Sequence, residues 1–180
     1  MSDDRFSFPR IVIEHAEFSM SSEETIAYHE AGHALMAWKA GARIESLTID
    51  PESDDSLARE GEARVIWEPS RYTAEEFAVC GISVALAGPV AELVQSGSDA
   101  DEQQLNAWTV DWKEAWEAAG RIHHSPEARL SMIEAAVRDL RLLFEDERWW
   151  SALAAIADHL LAWDSLEHDD LEEIAEHWLS

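Results

Sequence analysis

Residues 25–38 read TIAYHEAGHALMAW, and the reading of this stretch decides the fold around it. At its centre stand His29, Glu30 and His33. On an α-helix four residues advance the chain by about 400°, so His29 and His33 share one face, separated by about 6 Å of rise. Two imidazoles so placed converge on a single metal ion. Glu30 lies about 100° further round, within reach of a water on that ion but not in line to replace a histidine. This is the H-E-x-x-H arrangement, with two zinc ligands and a general base. Zinc would acidify its water toward a pKa of ~7 and polarise a carbonyl. Glu30 would take the proton and hand it to the leaving amine. A shuffled chain of this composition contains the pattern roughly 0.05 times. Gly32 inside the helix costs about 1 kcal/mol relative to alanine, which points to something packing closely against it.

The flanks support a helix. Ser21 and Glu24 make a capping-box pattern, so the helix is expected to start near Ser22. Gly41 is a natural stop. Beyond it, "ARIESLTID" and "EARVIWE" alternate as strands do and predict a hairpin or two short strands, separated by the polar, turn-rich "PESDDSLAREG". Thr73 and Glu76 repeat the capping pattern and open an apolar helix that Pro89 should kink or end. "QSGSDAD" reads as a loop. Trp108, Trp112 and Trp116 recur every four residues and predict a face turned to the core or to an interface. Gly120 ends that helix, and Ser125-Pro126-Glu127 starts the next. Amphipathic helices are expected near 127–143, 147–162 and 166–179. The fold class that follows is mainly α with a small sheet (α+β). Residues 1–20 form an arm and 21–180 one domain.

Composition bounds the function. The chain has 180 residues, 38 acidic against 13 basic, for a formal net charge of -25. Such a surface repels phosphate backbones, so no nucleic-acid partner is expected. The one cysteine, Cys80, cannot form an internal disulfide. The N-terminus lacks the apolar core of a signal peptide, and the longest charge-free run, 77–91, is short of the ~20 residues that span a bilayer. A cytoplasmic protein without membrane insertion is the expectation.

Catalytic zinc usually takes three protein ligands and leaves a position for water. The metzincin extension would need glycine and histidine where Met36 and Lys39 stand, so that class is excluded. Glu92, Asp99, Asp101 and the pair His123-His124 are the candidates for the third ligand, and spacing does not choose among them. His123 and His124 read as a solvated loop. His15, His159, His168 and His177 are scattered.

The stretch at 25–38 resembles the zinc-binding helix of FtsH-type peptidases, the proteolytic domain of ATP-dependent membrane zinc proteases. "SLTIDP" at 46–51 is similar to that family's strand and turn after the helix. "LAGPVAELV" at 86–94 resembles its glycine-rich entry into an Ala-Glu-Glu helix. "SGSDADEQQL" at 96–105 resembles the segment whose Asn-Asp supplies the third zinc ligand. The resemblance covers roughly residues 22–118. Aligned without gaps from Ser96-Gly97, it implies a shell of His29, His33 and Asp101, with Asp99 as the fallback and Glu92 orienting a ligand. It implies a metal-site core over 21–118, followed by C-terminal helices over 119–180. It also implies a zinc metalloendopeptidase acting on flexible or unfolded polypeptides, with the strand around 44–50 holding substrate. The sequence departs from the family at several points. Ala100 replaces its Asn, Pro89 stands in its Gly-Gly-Arg, Leu93 replaces its second Glu, and the connection from Glu92 to Asp101 is shorter by several residues. No phosphate-binding loop is present, so the expectation is a peptidase domain without an ATP motor, with homo-oligomerisation open. The alternative is a non-catalytic zinc-binding scaffold or regulatory module that works through protein interaction.

Overall fold

A computed structural model describes residues 22–49, 62–97 and 102–180. The N-terminal arm, the Ser21 cap, the turn-rich segment 51–61, Asp99 and Asp101 lie outside the described residues. Among the described residues the chain forms seven α-helices and a three-stranded antiparallel sheet, the mainly helical class expected from the sequence.

The first helix, α1, runs Ser22–Ala40. Glu23 and Glu24 sit at its positive end and Lys39 at its negative end, each complementing the helix dipole. Ala27, Ala31, Ala34 and Leu35 recur at helical spacing and are fully buried. The helix stops in a Schellman motif. Gly41 takes φ +85, its N–H donates to the Trp38 carbonyl at 2.8 Å, and the Ala42 N–H donates to the Ala37 carbonyl at 3.0 Å.

Strand β1 (Arg43–Thr48) pairs with β2 (Glu62–Ile66) in the expected hairpin, with a register irregularity between Ile44 and Ser46. A third strand, β3 (Ser165–Leu166), pairs with Leu47 and Thr48, so β1 is the middle strand. Sequence reasoning had placed no strand there. Two residues carry no alternation to detect. They are held by their surroundings: Asp164 turns the chain at φ 61, and its carbonyl accepts from the Ile49 N–H and the Thr48 hydroxyl, each at 3.0 Å.

Helix α2 (Ala74–Ser96) opens on a capping box in which Thr73 and Glu76 each accept from the other's backbone. The Thr73 N–H holds the Glu76 carboxyl below its usual range. Pro89 was expected to kink or end this helix. The helix does not end there, and Pro89 is buried within it. Gly97, at φ +61, closes it. By length and composition α2 could cross a membrane, but 56% of that stretch is buried inside the fold.

Helices α3 (Glu102–Ala107) and α4 (Thr109–Gly120) follow, separated by Trp108 alone. Then come α5 (Pro126–Phe144), α6 (Glu147–Trp163) and α7 (His168–Leu179), within two residues of the expected bounds. The Ser125 hydroxyl and the Asp146 carboxylate cap α5 and α6. The core lies where α1 packs between α2 and α6, with α4 and α5 also packed on α2 and α7 against α6.

Candidate metal centre

The site forms where α1, α2 and α4 meet. α1 and α2 approach closely because two glycines allow it. A Cβ on Gly32 would stand 2.5 Å from the Ala87 carbonyl oxygen, so only glycine fits between the two backbones. That is the close packing the sequence pointed to.

His29 and His33 project from the same face of α1, and their Nε2 atoms lie 2.9 Å apart. The other ring nitrogens are committed to acceptors. His29 Nδ1 meets Glu92 Oε1 at 2.5 Å, and His33 Nδ1 meets the Val84 carbonyl at 2.7 Å, both acceptors belonging to α2. With a proton fixed on each Nδ1, both Nε2 lone pairs are left for a metal ion.

A third group completes the cluster. Asp111 of α4 places Oδ2 3.5 Å from His29 Nε2 and Oδ1 3.6 Å from His33 Nε2. In a tetrahedral zinc shell with bonds of 2.0–2.1 Å, neighbouring ligand atoms stand about 3.3 Å apart. The two Nε2 atoms, at 2.9 Å, stand a little closer than that, and each ring has an Asp111 oxygen a little further off, Oδ2 at 3.5 Å from His29 and Oδ1 at 3.6 Å from His33. His29, His33 and Asp111 can therefore hold a metal ion.

Gly88 provides the room. A Cβ there would lie 2.5 Å from His33 Nε2 and 2.8 Å from His29 Nε2, close to where a shared ion would sit. A methyl group at this position would fill the cradle.

The electrostatics suit a cation. Burial alone would lower the His29 pKa. Hydrogen bonds to Asp111 and Glu92, together with the charges of Glu30 and Asp111, more than reverse this and push it up to about 10. Glu30 is buried beside the cluster. Rings and carboxylate retain some exposure, with side-chain values of 17% for His29, 12% for His33 and 7% for Asp111, so the centre touches solvent on one side.

Of the residues singled out from sequence, the structure brings together His29, Glu30, His33 and Glu92. His123 and His124 remain exposed between α4 and α5. Asp101 and Asp99 lie outside the described residues. Among the described residues the carboxylate that meets both imidazoles is Asp111, which the sequence reading passed over. A signal for it was present. Trp108, Asp111, Ala115 and Ala118 follow helical spacing and are all buried, so Asp111 is an acid on the apolar face of an amphipathic helix. The tryptophan stripe hid this. A four-residue step drifts about 40° round the helix each time. Accordingly Trp108 is 1% exposed, Trp112 half-buried and Trp116 36% exposed.

The strand expected to hold substrate, around 44–50, is not an edge. β1 lies between β2 and β3, and the Ile44 N–H donates to His168 Nδ1 at 3.3 Å. Among the described residues the outer strands are β2 and the two-residue β3, of which β2 is the longer.

No protein-family model matches the chain, and no curated protein matches it in sequence.

Proposed function

We propose that the protein is a zinc metalloendopeptidase of the FtsH-like kind, with His29, His33 and Asp111 as metal ligands and Glu30 as general base. The observation that carries this reading is the convergence of His29, His33 and Asp111, whose ligand atoms lie within 4.8 Å of one another with an Asp111 oxygen turned to each Nε2. The donor set, two neutral imidazoles and one carboxylate, is that of catalytic rather than structural zinc, and it leaves a fourth position.

Bound zinc supplies a Lewis acid that polarises a carbonyl and acidifies water. The protein does the rest. Glu92 and the Val84 carbonyl hold the two imidazoles in the tautomer that ligates. Glu30, one residue beyond His29 and buried in the site, accepts the proton of the attacking water and returns it to the departing amine. Gly88 keeps the centre clear of side-chain bulk. An extended, unfolded segment docks along β2 by backbone hydrogen bonds, since β1 is the middle strand.

The test is cleavage of an unfolded substrate such as casein by the zinc-loaded protein, with and without a chelator, beside Glu30→Gln. We expect cleavage that stops with chelator and falls at least about 100-fold in the variant, in line with general base catalysis, while zinc content stays at one per chain. Equal cleavage by both proteins sinks the peptidase reading. Zinc binding with no cleavage by either favours the non-catalytic scaffold.

A further inference from the structure

We infer that Trp108 is a positioning residue for the metal centre, acting through Glu92 on His29. This rests on the metal-site reading above and extends it to a residue that touches neither the ligand nitrogens' metal face nor substrate.

The indole Nε1–H of Trp108 donates to Glu92 Oε1 at 2.7 Å. The same oxygen receives His29 Nδ1 at 2.5 Å. The other oxygen, Oε2, is 3.5 Å from the Gln104 amide nitrogen. Glu92 is buried, so its position is set by these donors rather than by water. Gln104, Trp108 and Asp111 lie at spacings of four and three, on one face of α3–α4. The segment that delivers a metal ligand thus also delivers the two side chains that hold the carboxylate behind another ligand.

The chemistry of the indole fits the task. It is a donor only, and it cannot accept a proton from Glu92 or from His29. Paired with it, Glu92 Oε1 is defined as an acceptor toward both neighbours. His29 must then keep its proton on Nδ1 and turn the Nε2 lone pair to the ion. Backbone order serves the same end. The Trp108 N–H donates to the Gln104 carbonyl and the Trp112 N–H to the Trp108 carbonyl, each at 3.0 Å, so α3 and α4 stay in register across the break and the indole and Asp111 are presented together.

The experiment measures zinc affinity by competition with a chromophoric chelator. It compares wild type, Trp108→Phe, Glu92→Ala, their double variant, and Trp112→Phe as a control that loses an indole without touching Glu92. Outer partners of zinc-bound histidine are worth about 10–100-fold in affinity. Trp108→Phe should weaken binding about tenfold, and Trp112→Phe should leave it unchanged. In the Glu92→Ala background, which has no acceptor for either donor, Trp108→Phe should add nothing, because the path it uses is already cut. Additive losses, or full affinity in folded Trp108→Phe, overturn the proposal while leaving the metal centre standing. If Trp108→Phe does not fold, the wild-type indole N–H resonance decides. It should shift on zinc addition more than that of Trp163, which lies exposed on α6, and an unmoved resonance overturns the proposal. A wild-type chain that takes up no zinc overturns both this and the reading it rests on.

Discussion

Gly88 of α2 faces His33 of α1 so closely that a Cβ at position 88 would lie 2.5 Å from the His33 Nε2. The backbone of one helix therefore forms a wall of the cradle built by the other. Gly88→Ala should put a methyl group where the ion binds, while helix propensity improves by about 1 kcal/mol. The ring ends must shift to make room, which moves the Nε2 atoms away from where the ion would bind. We expect zinc affinity to fall at least about 100-fold, beyond the loss of one outer hydrogen bond, with the metal-free melting temperature changed little. Chelator competition beside thermal unfolding checks this. A variant that binds zinc as wild type does would show that the cradle is wider than described.

Gly32 makes the opposite prediction. Its added Cβ would meet backbone, the Ala87 carbonyl at 2.5 Å, and not the movable end of a side chain. Gly32→Ala should force α1 and α2 apart and destabilise the fold by about 1–3 kcal/mol, the range for overpacking a tight core. Urea unfolding of the metal-free protein measures it. Stability equal to wild type would mean that the two helices adjust freely.

Asp111 and Asp101 can be separated by substitution. Asp111→Asn removes the carboxylate that meets both imidazoles. It should reduce bound zinc from one per chain to well below that after dialysis, whereas Asp101→Asn should retain the metal. Elemental analysis of the two variants gives the answer. The reverse result would return the third ligand to the position the family resemblance selects.

The His29 pKa fixes the sign of a pH effect. In the metal-free protein it is raised from the ordinary 6.5 to about 10, by hydrogen bonds to Asp111 and Glu92 that overcome burial. A pKa higher in the folded than in the unfolded chain stabilises the fold fully below pH ~6.5, and that stability is lost as pH rises through ~10. The melting temperature of chelator-treated protein should decline across that window more steeply than in His29→Gln. Zinc must displace the same proton, so calorimetry near neutral pH in two buffers of different ionisation enthalpy should show about one proton released per ion bound. Zero release would mean that His29 is already neutral.

Local signals carried most of the fold. The caps at Thr73 and Ser125 and the stop at Gly41 each depend on a few adjacent residues, and each is found where local chemistry puts it. β3 escaped because a two-residue strand exists only through its tertiary partners Leu47 and Thr48. The site divides the same way. His29, Glu30 and His33 lie on one helical turn and could be read directly. Glu92 was among the candidate ligands, and its role in orienting one came through the family resemblance. The third carboxylate comes from a separate helix, and no spacing rule links α1 to α4. The short connection from Glu92 to Asp101 marks where this chain departs from the family's spacing. The buried acid on the Trp108 face was the missed clue. A search for polar residues on apolar helix faces, rather than for tryptophans every fourth residue, would have found Asp111.

The division of the shell among helices has a mechanical outcome. α4 packs chiefly on α2 and α5, so an ion shared by His29, His33 and Asp111 would tie α4 to α1, two helices that the core joins mainly through α2. It would work as a removable staple across a long loop of chain, and such cross-links restrain the unfolded ensemble most when the loop they close is long. Stripping the metal should therefore loosen the α3–α4 arm before the rest of the molecule, with hydrogen exchange rising there first.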